Sequence, residues 1–242
     1  MQWFAILSDK SYINKNSFTQ EVMIDKNILL IDKPKGITSF DCIRILRKKL
    51  GIRKMGHAGT LDPLATGLMI IALNEGTKKL NEFLKLPKRY VAEILFGITT
   101  DTGDVTGKVL DKFPINLKDN NQILEFSNRI QETLTTMTGK IELPVPAYSA
   151  IKQGGEALYK KARRGEHIEL PVKTMEITSA TFLGFLHNDD GWCTSVEFEV
   201  GSGTYIRSVA QELGRRLGTF ATLKNLRRTT IGNFSVDQAE KI

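Results

Sequence analysis

Cysteine and histidine are scarce in this chain of 242 residues, with two of the first and three of the second. Cys42 and Cys193 are far apart and form no CxxC pair, which excludes a disulfide scaffold and argues against a structural zinc site. His57, His167 and His187 have no histidine or cysteine at ligand spacing, so no metal is expected. Long apolar runs are missing too. The longest, Leu68–Leu73, is far below the roughly 20 residues of a membrane helix. Trp3–Leu7 is too short for a signal core and no basic stretch precedes it, so the expected location is the cytoplasm. No GxGxxG, GxxxxGK[ST] or GxSxG spacing occurs, which removes the common phosphate loops and the nucleophile elbow.

An excess of basic charge is present instead. The formal net charge is +7, and the basic residues come as short clusters: Arg53-Lys54, Lys160-Lys161 with Arg163-Arg164, Arg215-Arg216 and Arg227-Arg228. Clusters spread through folded-looking segments read as a binding face for a polyanion, because each neutralised phosphate releases counterions.

Strand and helix patterns are interspersed without a regular βαβ period, so the fold class expected is α+β. Asn27–Ile31 reads as a buried strand, followed by a turn at Lys33–Gly36 and a helix capped by Ser39 and stopped by Gly51. Leu64–Leu73 has the length and composition of a helix. Tyr90–Phe96 reads as a strand leading into the turn-rich GITTDTGDVTGKV, and Leu124–Met137 as a helix. Glu156–Arg164 reads as a basic helix, followed by three β-like stretches ending with Thr194–Val200. Ile206, Val209, Leu213 and Leu217 then mark the apolar face of a last helix.

The chemically suggestive stretch is GHAGTLDPLATG, residues 56–67. Asp62 followed by proline suits a helix N-cap with Pro63 at the first position. Gly56 and Gly59 allow the close approach that a catalytic aspartate facing a bulky ligand requires. Both readings stand. His57 fits a structural or a binding role, and Tyr90 and Tyr205 fit either strand packing or base stacking. Arg207, two residues after Tyr205, shares a face with it if the backbone is extended, and is otherwise an ordinary ion-pair former.

Five segments in order carry a resemblance: LLIDKPKGITSFDCIRILRK, KMGHAGTLDPLATGLMIIALNEGTKKL, KRYVAEILFGITTDTGDVTG, PVPAYSAIKQGGEALYKKARRGE and GSGTYIRSVAQELGRRLG with LRRTTIGNF. Together they resemble the bacterial tRNA pseudouridine-55 synthase family over about Ile28 to Phe234. The resemblance implies the pseudouridine synthase fold, a central mixed, largely antiparallel sheet flanked by helices and loops. It implies an isomerase that detaches one uracil in the TΨC loop of tRNA, turns it and rejoins it through carbon 5, with no cofactor and no metal. By motif, Asp62 is the catalytic aspartate, Arg207 its partner, and Tyr90 the tyrosine that stacks on the target base and moves the proton at carbon 5. His57, Tyr205 and Leu226 line the nucleotide site, Asp104 lies near the flipped uridine, and Lys33 and Pro34 shape the cleft. The partner implied is the TΨC stem-loop of tRNA, bound by a monomer without guide RNA, obligate protein partner or membrane. Residues 23–242 are expected to form the catalytic domain. Residues 1–22 are an extension with no assigned role, and the C-terminal PUA-type RNA-binding domain of many relatives is expected to be absent. A guide-RNA-dependent synthase and a non-catalytic tRNA-binding module are the rival readings.

Overall fold

A computed structural model describes residues 23–25 and 27–242, so the extension assigned to residues 1–22 lies outside the described residues. Strand β1 (Met23–Asp25) pairs with β2 (Ile28–Lys33). Helix α1 (Ser39–Leu50) follows. Its cap is Thr38, one residue before the serine expected. The Thr38 hydroxyl accepts from the Asp41 backbone N–H, and the Asp41 carboxylate accepts from the Thr38 N–H. Gly51 ends the helix with φ 70°.

Strand β3 (Met55–His57) leads through the GHAGTLDPLATG loop into β4 (Thr66–Leu73). The helix expected over Leu64–Leu73 is therefore a strand. Its side chains alternate between two apolar clusters: Met69, Ile71 and Leu73 face one, Leu68, Ile70 and Ala72 the other. A strand buried on both faces loses its polar alternation and reads like a buried helix. Asp62 consequently caps no helix; its carbonyl accepts from the Ala65 N–H at 3.0 Å, closing a turn with Pro63 inside it.

The short helix α2 (Leu80–Lys85) precedes β5 (Lys88–Phe96), and the β6 (Ile98–Thr100) and β7 (Val109–Lys112) ribbon follows. Helix α3 (Asn120–Thr136), capped by Asp119, leads to β8 (Gly139–Pro144). The small hairpin β9 (Lys152–Gln153) and β10 (Glu156–Ala157) shortens the expected basic helix to α4 (Leu158–Arg163). After it come two long strands rather than three, β11 (Val172–Asn188) and β12 (Gly191–Val200). Two register shifts within β11 keep it continuous where the sequence suggests a break. Helix α5 (Ile206–Arg216), β13 (Ala221–Ile231), β14 (Phe234–Ser235) and β15 (Glu240–Lys241) complete the chain.

The sheet runs β1-β2-β4-β13-β5-β12-β11-β8, with β3 beside β4, β14 beside β13 and β15 beside β2. Pairing is antiparallel except for β13 with β4 and β15 with β2. This is the α+β, mixed and largely antiparallel architecture expected. The larger core joins α1, α3 and α5 to the sheet through Cys42, Ile43, Leu46, Phe126, Ile130, Val209 and Leu213. A second cluster of Ile28, Leu30, Leu68, Ile70 and Ile231 packs under Phe83 and Phe234. No helix among the described residues is long and apolar enough to cross a membrane.

Candidate active site

The loop between β3 and β4 is pinned at successive residues from four directions. The Ala58 N–H donates to the Ile70 carbonyl at 3.0 Å, and the Gly36 N–H donates to the Pro63 carbonyl at 2.8 Å. Buried Ser39 on α1 brackets Leu61, donating to its carbonyl at 3.1 Å and accepting from its N–H at 2.8 Å. Arg228 on β13 donates through Nη2 to the Gly59 carbonyl at 3.2 Å. Asp62 therefore leaves a rigid backbone. Its side chain remains 34% exposed.

Arg207, 145 residues later in the chain, meets that carboxylate in a fork. Nε lies 2.8 Å from Oδ2 and Nη2 lies 3.2 Å from Oδ1. The arginine itself is 5% exposed and fixed by two carbonyls, with Nη1 donating to Thr102 at 2.7 Å and Nη2 to Tyr148 at 3.0 Å. It lies in the first turn of α5 while Tyr205 occupies the N-cap, so the shared extended face expected for the pair does not exist.

Burial pushes the Asp62 carboxyl above the ordinary aspartate range, and the Asp104 charge adds to the rise. Arg207 and Lys33 oppose it. The arginine favours the ionised carboxylate, but burial outweighs it. Asp104 is 5% exposed and its Oδ1 accepts from Thr102, from the Thr106 hydroxyl and, at 2.9 Å, from the Thr106 N–H. It ties up the turn whose Thr102 carbonyl holds Arg207, so its nearest tasks are to shape that turn and to bias the charge of Asp62.

Of the remaining expected residues, Tyr205 lies within electrostatic reach of this ion pair. Burial raises the Tyr205 phenol above its usual range, with Arg207 opposing and Asp62 adding to the rise. Tyr90 on β5 is 8% exposed and in register with Phe198 on β12 and Arg228 on β13. Leu226, in register with Ala92, is its neighbour on the same face two residues along. Neither makes a hydrogen bond to Asp62 or Arg207 among the described residues. His57 sits at the other end of the loop. Burial, and then the charge of Arg228, lower its pKa against an opposing interaction with the Gly59 backbone, and its Nδ1 is buried without a hydrogen-bond partner among the described residues.

Lys33 is wholly buried and donates to the Pro34 and Ile37 carbonyls at 2.9 and 2.8 Å. It contributes charge near Asp62 rather than a free amine. An open cleft of about 280 Å³ is lined by Leu64, Thr66, Lys35, Asn225, Leu226 and Arg227, together with Val91, Glu93 and Ser195. Strand alternation puts Val91 and Glu93 on the face opposite Tyr90. The cleft therefore touches the site through Leu226 and the turn after Asp62, and is not the place of the ion pair. No motif marks Ser39 and Arg228, whose side chains hold carbonyls distant in sequence, or Tyr148, whose own carbonyl receives Arg207.

Residues 47–206 match the family described as TruB family pseudouridylate synthase (N terminal domain). The tRNA pseudouridine synthase B of Leifsonia xyli subsp. xyli is 39% identical over 221 residues, covering 91% of this chain and 72% of that protein. The tRNA pseudouridine synthase B of Caldicellulosiruptor saccharolyticus is 42% identical over 212 residues, covering 88% and 69%. Among solved structures, a chain of a Cbf5-Nop10-Gar1 complex superposes with a TM-score of 0.65 at 24% identity. It covers 89% of this chain, which spans about half of that one (52%), and the likeness bears on the fold.

Proposed function

The chain belongs to the TruB family of pseudouridylate synthases, and from that premise we propose that it converts uridine 55 of tRNA to pseudouridine with Asp62 as the catalytic carboxylate. The observation that carries the residue assignment is the forked Asp62–Arg207 pair on a loop anchored from four directions. A glycosidic bond cannot be worked on inside a base stack, so the nucleotide must leave it, at a cost of a few kcal/mol. A carboxylate held rigidly and open on one side is suited to the exposed sugar and base. The fork leaves lone pairs on both oxygens free to attack the nucleotide or take a sugar proton.

The reaction is an isomerisation. The N1–C1′ bond breaks, the uracil turns, the C5–C1′ bond forms, and the proton displaced from C5 balances the one gained at N1. Tyr90 is assigned stacking on the base and transfer of that proton. Leu226, Tyr205 and His57 are assigned to the nucleotide site, and Asp104 to the turn behind Arg207. The enzyme is read as a cytoplasmic monomer that needs no metal, cofactor, guide RNA or obligate protein partner. It recognises the TΨC stem-loop by shape and phosphates through its basic surface.

Purified protein incubated with an unmodified tRNA transcript and no guide RNA is expected to yield pseudouridine at position 55. Asp62→Asn is expected to yield none while still binding the transcript. No product from the wild type refutes the stand-alone enzyme, and turnover by the variant refutes the role of Asp62.

A further inference from the structure

Besides Arg207, three cations are buried among the described residues: Lys33 at 0%, Lys88 at 5% and Arg228 at 1% exposure. None has a carboxylate within ion-pair distance among the described residues; each donates to backbone carbonyls instead. Lys88 donates to Leu84 and Leu86, Lys33 to Pro34 and Ile37, and Arg228 to Leu68 at 2.7 Å and to Gly59 at 3.2 Å. The lysine acceptors are close in sequence, within four residues, whereas Arg228 reaches across 160 and 169 positions. It is the one that joins separate parts of the fold.

A buried guanidinium is a poor device for stability alone. It gives up its hydration, and an apolar side chain of similar volume fills such space at less cost. Here the surroundings increase that cost, because Lys33 and Lys88 are also cations and His57 is nearby. The charge of Arg228 lowers the proton affinity of all three. The gain lies in geometry. A planar guanidinium holding two carbonyls is a stiffer strut than any single donor.

Two glycines accompany Arg228 at this crossing. Gly67 has φ +107°, and a Cβ there would stand 2.2 Å from the Arg228 carbonyl oxygen, so glycine lets β13 close on β4. Gly59 has φ +93°, and its missing Cβ would lie 3.4 Å from Arg228 Nη1. The strut ends on Gly59, at the start of the segment that turns to present Asp62.

We propose that Arg228 is a positioning residue for Asp62: by bridging the Gly59 and Leu68 carbonyls it fixes the angle at which the loop delivers the carboxylate to Arg207 and to the nucleotide. The proposal rests on the assignment of Asp62 as the catalytic group. Misplacement of a reacting group by about 1 Å costs about a hundredfold in rate. The strut should therefore act on the chemical step and leave tRNA binding alone.

The test uses the full-length protein, an unmodified tRNA transcript, and single-turnover rates with separately measured Kd. Arg228→Lys keeps the charge but can hold only part of the bridge; it is expected to lose about tenfold in rate with Kd within about twofold of wild type. Arg228→Met removes the bridge and is expected to lose about a hundredfold with the same Kd. A lysine variant as fast as wild type overturns the proposal. Equal losses in rate and affinity, or failure of both variants to fold, make Arg228 a general structural residue and also overturn it. An inactive wild type instead removes the assignment on which the proposal stands, so the two failures are told apart.

Discussion

Arg207 offers the most exacting perturbation of the site, because one guanidinium makes two bonds to Asp62 and two to the backbone. Arg207→Leu removes all four and leaves the Thr102 and Tyr148 carbonyls short of donors. Breaking a buried ion pair by deleting one partner costs about 3–5 kcal/mol. Here the lower end applies, since Asp62 is 34% open and regains some water. A loss of about 3 kcal/mol should appear as a lower urea midpoint with an unchanged slope. The kinetic consequence has its own sign. Burial already raises the Asp62 pKa and Arg207 works against that rise, so removing the arginine raises it further. If ionised Asp62 does the chemistry, the acid limb of the rate profile in the wild type lies above the ordinary aspartate value of about 3.9, and in the variant higher still. Arg207→Lys restores the charge without the fork, so its acid limb should return toward wild type while its rate stays about tenfold or more below it. The assay follows release of tritium from carbon 5 of labelled tRNA across pH. An acid limb that stays put in Arg207→Leu refutes the electrostatic argument. A lysine variant with wild-type rate refutes the geometric one.

Two further outcomes follow from backbone and buried charge. Gly67→Ala is expected to destabilise the protein by several kcal/mol, about the upper range of single substitutions, because a Cβ at φ +107° would stand 2.2 Å from the Arg228 carbonyl oxygen. Denaturation by urea measures it, and a change within about 0.5 kcal/mol contradicts the close approach of β4 and β13. Burial, with Arg228 adding to it, lowers the pKa of Lys88 to about 8. A lowered lysine pKa means that the folded state favours the neutral amine. The contribution is therefore fully present above the unfolded value of about 10.4 and is lost as pH falls through about 8. Stability should rise between pH 7 and 10 by up to about 3 kcal/mol from this group, and Lys88→Met should flatten the rise. An identical pH dependence in the variant excludes Lys88 as its source.

The helices were legible because their signals are local. Thr38 and Asp41 lie within one turn of each other, Gly51 marks the stop, and the apolar stripe of α5 repeats at helical spacing. β4 was not legible for the opposite reason. It is covered on both faces by clusters whose members come from β2, β13, α1 and the C-terminal segment, and nothing within Leu64–Leu73 reports them. The same error made Asp62 a helix cap. With β4 a strand, the Asp-Pro step becomes a turn, and the carboxylate is released from capping to face Arg207.

The site divides along a related line. Asp62, Tyr90, Arg207, Tyr205 and Leu226 are candidates through the order of five motifs, which records a fold without describing it. Composition and spacing left each of them with an ordinary structural explanation. What no motif displays is the work of Ser39, Tyr148 and Arg228, since a carbonyl held from 22, 59 or 169 residues away has no signature in the residues beside it. Ser39 is the instructive one. In sequence it looks like the cap of α1, a serine before an apolar period. In the fold the threonine before it takes that task, which frees the Ser39 hydroxyl to hold both sides of Leu61. The carboxylate is thus aimed by contacts that look, from the chain alone, like helix punctuation and strand filler. With Asp62 as the proposed reacting group, substitutions of Ser39 and Arg228 should lower the single-turnover rate more than the affinity for tRNA, because they move the carboxylate and not the surface that binds.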